Sequence, residues 1–86
     1  MREPALPAQP RGLFCDKVAA TVANVGRGTA ALYAEQNMRL QAQDLRGDMI
    51  RGGVRRVRLV QHRTECAAAG WGSLTICTSV ARLCGQ

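Results

Sequence analysis

The stretch Thr29-Ala-Ala-Leu-Tyr-Ala-Glu-Gln-Asn-Met-Arg-Leu-Gln-Ala-Gln-Asp-Leu-Arg-Gly-Asp-Met49 has the clearest periodicity in this 86-residue chain. Its apolar residues recur at intervals of three or four, at Ala31, Ala34, Met38, Ala42, Leu45 and Met49. That spacing places them on one face of an α-helix, and the narrow seam favours close packing on a neighbouring helix. Thr29 is a suitable N-cap, and the glycines at 52 and 53 should end the helix. We therefore predict a helix over residues 29–51.

A second helix is predicted before this stretch, over residues 13–25. Its larger apolar residues also recur at helical spacing, at Phe14, Val18, Val22 and Val25. The sequence Gly26-Arg27-Gly28 should separate the two helices, so residues 13–51 are predicted to form a helical hairpin or one bent helix.

A third helix is predicted over residues 65–83, with Thr64 as its N-cap. Sixteen uncharged residues, 66–81, lie between Glu65 and Arg82, slightly fewer than the ~17–25 that span a bilayer. Small residues recur every fourth position, at Ala69, Ser73, Cys77 and Ala81. Because such faces allow close packing of helices in membranes, we expect burial in a membrane or in a groove of a partner, with Ser79 away from the packed face.

The predicted fold class is all-α, with two to three helices and little independent core in a single small chain, 1–86. Hydrophobic residues make up 47% of the chain, but 13 of them are alanines, which bury little apolar area at roughly 25 cal/mol per Å². Prolines at positions 4, 7 and 10 predict an extended arm over residues 1–12. We therefore expect the chain to complete its fold on a partner. The residues assigned to helix packing are Ala31, Ala34, Met38, Leu45, Ala69, Ser73, Cys77 and Ala81.

The net charge of +6 is concentrated in one segment, residues 46–63, which holds six arginines and a single acid, Asp48. Within the Arg-rich segment 52–63, the run Arg56-Val57-Arg58-Leu59 alternates as a strand does, but an all-α fold offers it no pairing partner. We expect a helix or an extended clamp there. Guanidinium groups bind phosphate bidentately. The residues predicted to contact phosphates or lipid head groups are Arg51, Arg55, Arg56, Arg58 and Arg63.

The four cysteines, at positions 15, 66, 77 and 84, contain no Cys-x-x-Cys pair of the kind that binds zinc. On a continuous helix, Cys66, Cys77 and Cys84 would line one face, and Cys77 and Cys84 would lie about 10 Å apart. Because a disulfide allows a Cα separation of only about 7 Å, none of these three could pair with another. Buried, reduced thiols are therefore favoured. A bridge from Cys15 to one of the other three cysteines is the alternative.

No pattern of catalytic residues is recognisable in the chain. His62 is the single histidine and lies among arginines, the acidic residues show no paired motif, and no phosphate loop or dinucleotide fingerprint occurs. We therefore expect no enzyme, no cofactor and no metal site. The favoured function is a non-enzymatic accessory or structural subunit of a large multi-protein assembly, in a mitochondrial or other organellar membrane. Its partners would be other protein subunits and anionic lipid.

The alternative function is an Arg-rich, RNA-contacting subunit of a ribosome-like particle. The Arg-rich segment contains no aromatic residue that would stack on bases. RNA contact would then depend on phosphates and weaken steeply with salt.

Overall fold

The computed structural model describes residues 12–70 and 72–86, which form one helix packed on a three-stranded antiparallel sheet. The elements in chain order are β1 (Phe14–Asn24), α1 (Arg27–Arg51), β2 (Arg58–Ala68) and β3 (Thr75–Gly85). The strand order is β1-β3-β2, so β3 is central and pairs with both edge strands. The all-α prediction is therefore wrong, and the fold is α+β. The predicted N-terminal arm lies outside the described residues, apart from Gly12.

The helix predicted over residues 13–25 is strand β1. Val18 and Ala20 are buried, and the residues that alternate with them, Lys17, Ala19 and Thr21, are exposed. Two of the three spacings behind the helix prediction are of four residues, which fits a strand equally well, because four residues are two repeats of a strand and about one turn of a helix. The third, from Val22 to Val25, extends beyond the end of β1. The strand prevails because β-branched side chains pack well on a sheet and β3 pairs with this segment along its whole length.

The helix predicted over residues 65–83 is a hairpin formed by β2 and β3. Cys77 and Ala81 are fully buried on β3, whereas Ala69 and Ser73 lie between the two strands. The predicted small-residue helix face therefore does not exist. The connection needs Gly70 and Gly72, whose φ angles are 89° and 67°, in a region that side chains disfavour.

The Arg-rich segment 52–63 is not a helix, because β2 begins within it at Arg58. The alternation of arginines with apolar residues correctly indicated a strand. Its pairing partner, which an all-α fold did not offer, is β3. The register shifts between Val60 and Arg63, where a bulge places Gln61 at a φ of 55°.

The helix predicted over residues 29–51 is present as α1, which begins two residues earlier, with Gly26 as its N-cap instead of Thr29. It ends at Arg51, with Gly52 as its C-cap. Its buried residues are Ala30, Ala34, Met38, Ala42 and Met49, while Ala31 and Leu45 are half-buried. The narrow apolar face is therefore buried, but against the sheet and not against another helix.

The core lies between α1 and one face of the sheet. Met38 and Ala42 of the helix meet Val18 of β1 and the β3 residues Ala81 and Leu83 there. Among the described residues, no element covers the other face. We call this second surface the open face.

Two disulfides join the central strand to both edge strands: Cys15–Cys84 links β1 to β3, and Cys66–Cys77 links β2 to β3. Each bridge connects residues that lie directly opposite each other in the sheet. The reduced thiols favoured by the sequence are therefore wrong, whereas the alternative bridge from Cys15 is present. Cys66 and Cys77 can pair because they lie on neighbouring strands instead of along one helix.

Gly85 allows the end of β3 to approach the segment that leads into β2. A Cβ atom at this position would meet the Arg55 carbonyl oxygen and the Val54 Cγ1 atom, each at 2.6 Å. The next residue, Gln86, exchanges backbone hydrogen bonds with Arg55. This contact holds the arginines before β2 beside the end of β3.

Candidate functional site

The fold gathers most of the positive charge at one end of the molecule, where β1 and β2 begin and α1 and β3 end. Antiparallel pairing places Cys15 beside Cys84, and Cys84 beside Arg58. We call this region the basic end. Its cationic residues are Lys17, Arg51, Arg55, Arg56, Arg58 and Arg82, with Arg63 on the adjoining part of β2.

Four of these cations lie on the open face, around Arg82. Lys17 is the direct cross-strand partner of Arg82, while Arg58 and Arg63 pair with the residues two positions to either side of it, Cys84 and Val80. Residues opposite or diagonal to one another across an antiparallel ladder share a face of the sheet. Like charges placed directly opposite each other are destabilising, so a bound anion would relieve the repulsion between Lys17 and Arg82.

Ion pairing leaves most of these cations available. Arg51 pairs with Asp48, and Arg63 lies 3.7 Å from Glu65. For the other five cations of the basic end, no carboxylate within residues 12–70 and 72–86 lies at salt-bridge distance. The basic end therefore presents a positive charge that its own acidic residues do not neutralise.

Two large apolar side chains are exposed beside the cations. Phe14, which pairs with Gly85, is 58% exposed, and Ile50, one residue before the end of α1, is 52% exposed. A cationic surface flanked by exposed Phe or Ile side chains is typical of proteins that bind at a membrane interface.

The structure brings together most of the contact residues predicted from sequence. Arg51, Arg55, Arg56 and Arg58 lie at the basic end, and Arg63 is on the same sheet face as Arg58. The prediction missed Lys17 and Arg82, which are distant in sequence from the arginines of residues 51–63. Only the pairing of β1 with β3 reveals them, and the β-branched residues Val18, Thr21 and Val22 are the local signal for that strand.

A polar cluster on the helix side of the sheet contains a serine, a histidine and a glutamate. The His62 Nε2 atom lies 3.2 Å from the Ser79 Oγ atom and 3.9 Å from the Glu35 Oε1 atom. Thr64 donates a hydrogen bond to the same Ser79 oxygen at 3.0 Å. This is not the geometry of a catalytic triad, because one histidine nitrogen faces both partners and Ser79 is fully buried. The cluster serves to satisfy a buried hydroxyl.

Within the described parts of the chain, no cluster of three or more His, Cys, Asp or Glu residues is arranged to hold a metal ion. Over the same residues, no helix combines the length and apolar character needed to cross a membrane. Comparison of the chain with protein-family models, curated proteins and solved structures finds no match.

Proposed function

We propose that this chain is a non-enzymatic accessory protein that docks peripherally on an anionic lipid surface through its basic end. The observation that carries the proposal is the grouping of unneutralised cations with exposed Phe14 and Ile50 at one end of the fold. Each Lys or Arg near an anionic membrane contributes roughly 1 kcal/mol. The apolar side chains would enter the boundary between head groups and acyl chains.

This membrane association differs in kind from the one expected from sequence. That expectation relied on a helix over residues 66–81, which lie in β2, β3 and their connection. The proposed contact is at the surface of the bilayer, and the Arg-rich segment contributes to it through Arg55, Arg56 and Arg58.

The two disulfides favour a lipid surface over RNA as the partner. Disulfides persist in oxidising compartments and are rare where thiols are kept reduced, which is where ribosome-like particles work. An organellar membrane that faces an oxidising compartment provides both the anionic lipid and the redox conditions. The chain would act there as an accessory subunit of a protein assembly.

Vesicle binding of the oxidised chain tests the proposal. We expect binding to vesicles of phosphatidylcholine with phosphatidylglycerol, weakening with salt, and little binding to phosphatidylcholine alone. Arg82→Gln should weaken the binding about fivefold, which corresponds to the loss of roughly 1 kcal/mol. The matched control Arg27→Gln removes an equal charge at the opposite end of α1 and should have a smaller effect because the charge lies farther from the membrane.

Three outcomes would contradict the proposal: equal binding to neutral and anionic vesicles, equal losses for Arg82→Gln and Arg27→Gln, or tighter binding to single-stranded RNA than to anionic vesicles. The last outcome would favour the RNA alternative. In that case log affinity should fall with log salt at a slope of about −0.7 for each phosphate contacted.

A further inference from the structure

A groove separates α1 from β2 on the helix side of the sheet, and it has an apolar floor and a cationic rim. Its volume is about 200 Å³. The lining residues are Arg39, Ala42, Gln43, Arg46, Val57, Arg58, Leu59 and Leu83. No acidic residue is among them.

The floor consists of core side chains. Ala42, Val57 and Leu83 are each at least 94% buried, and Leu59 packs against the same cluster. Water in such a groove would meet aliphatic carbon, so an apolar group that displaces it would bind favourably. At about 30 Å³ for a group of the size of a water molecule, the groove accommodates about six carbons of an aliphatic chain, and the end of a longer chain would extend out of its open mouth.

The rim supplies positive charge for an anionic head group. Arg39 is occupied by Glu35, with its Nη2 atom 2.9 Å from the Glu35 Oε1 atom. No carboxylate of the described residues lies at salt-bridge distance from Arg46 or Arg58. Arg46 of α1 stands at the rim and can donate charge-assisted hydrogen bonds, which are stronger than neutral ones, to a carboxylate above the groove. Arg58 also borders the groove, but its pairing with Cys84 places its side chain on the open face.

We propose that this groove binds a medium-chain fatty-acid anion, with its chain on the apolar floor and its carboxylate on Arg46. Charge complementarity at the rim and the absence of acidic lining residues favour this occupant over a neutral one. The site differs from the membrane-docking surface, whose central pair, Lys17 and Arg82, lies on the opposite face of the sheet. The proposal therefore does not rest on the proposed function.

Titration of the oxidised protein with decanoate, kept below its micelle-forming concentration and followed by amide NMR shifts, tests the inference. We expect saturable shifts at Ala42, Val57 and Leu59. Decanol, with the same chain and no charge, should bind about tenfold more weakly, and acetate should produce no shifts there. Arg46→Gln should lower the decanoate affinity about tenfold, while Arg27→Gln, outside the groove, should leave it unchanged.

A second variant tests the shape of the site. Gln43→Trp places a bulky ring over the groove from an exposed position, so decanoate binding should be lost while the melting temperature stays near that of the wild type. Shifts confined to the basic end, equal affinities of the Arg46 and Arg27 variants, or full binding by Gln43→Trp would each overturn the proposal. Because the vesicle assay uses Arg82, either proposal can fail while the other holds.

Discussion

Ser79 is a polar residue buried between the helix and the sheet, where it depends on hydrogen-bond partners. It is fully buried on the helix face of β3, and its hydroxyl interacts with Thr64 and His62 from the neighbouring strand. Burial of a hydroxyl is costly unless it is hydrogen-bonded, and here two partners satisfy it. The same His62 nitrogen lies 3.9 Å from the Glu35 Oε1 atom, which joins the cluster to α1.

At this position we predict that Ser79→Leu lowers the free energy of unfolding by at least about 2 kcal/mol. Overpacking of the core costs roughly 1–3 kcal/mol, and the polar groups of Thr64 and His62 that lose their partner cost about 1–3 kcal/mol more. Ser73→Leu, the same change at an exposed residue between β2 and β3, should alter it by no more than about 0.5 kcal/mol. Urea denaturation of the two variants measures the difference. A helix over residues 65–83 would give the reverse order, so a larger loss for Ser73→Leu would contradict the fold.

At the scale of elements, the sequence predicted the helix well and the strands poorly, for a physical reason. The α1 stripe contains the three-residue steps from Ala31 to Ala34 and from Ala42 to Leu45, which a strand cannot place on one face. In β1 and β3 the predicted stripes use steps of four, which suit both structures. The one step of three, from Val22 to Val25, leads to a residue beyond the end of β1. The glycines at 70 and 72 and the β-branched residues after them were local signals for a hairpin.

The part of the candidate site that is contiguous in sequence was predicted, and the part that depends on strand pairing was not. The arginines of residues 51–63 were recognised because they are close in sequence. Lys17 and Arg82 join them only through the register of β1 and β3, and that register cannot be derived from a sequence interpreted as helical. For the same reason the Cys66–Cys77 bridge was excluded.

The strands are also where the disulfides act, and we predict that the two bridges contribute unequally. Cys15–Cys84 spans 69 residues and Cys66–Cys77 spans 11. If bridges act by restricting the unfolded chain, they stabilise the fold by about 4 and about 3 kcal/mol respectively.

Two single-disulfide variants, each with the other cysteine pair replaced by alanine, allow this measurement. The loss of stability on reduction of each variant isolates its remaining bridge, because the replaced side chains are the same in both redox forms. An equal loss, or a greater loss for the variant that keeps Cys66–Cys77, would show that chain entropy does not govern the difference.

At the scale of the whole molecule, the core is too small to account for a stable fold without these bridges. The main cluster of buried residues contains Met38, Met49 and Leu83 as its larger members, and alanines and valines make up the rest. The sequence led to the expectation that the chain completes its fold on a partner. The disulfides supply a different means of stabilisation, common in small domains with limited cores.

We therefore predict that the oxidised chain unfolds in a cooperative thermal transition without any partner, and that the same chain treated with dithiothreitol shows no such transition at 25 °C or above. Circular dichroism of both forms is the measurement. A cooperative transition of similar midpoint in the reduced chain would show that the apolar core suffices. The absence of a transition in the oxidised chain would support the original expectation of a partner-dependent fold.

The Cys15–Cys84 disulfide between β1 and β3 also determines the product of proteolytic cleavage. The segment before β2 carries two adjacent exposed arginines, Arg55 and Arg56, a sequence that trypsin-like enzymes cleave. A cut there would separate Cys15 from Cys84 along the backbone, but the disulfide between them would keep both fragments in one covalent molecule. The nicked protein would keep its mass apart from one added water, and would divide into two fragments only on reduction. Cleavage could therefore free the arginines from the constraint of the loop while the sheet stays joined.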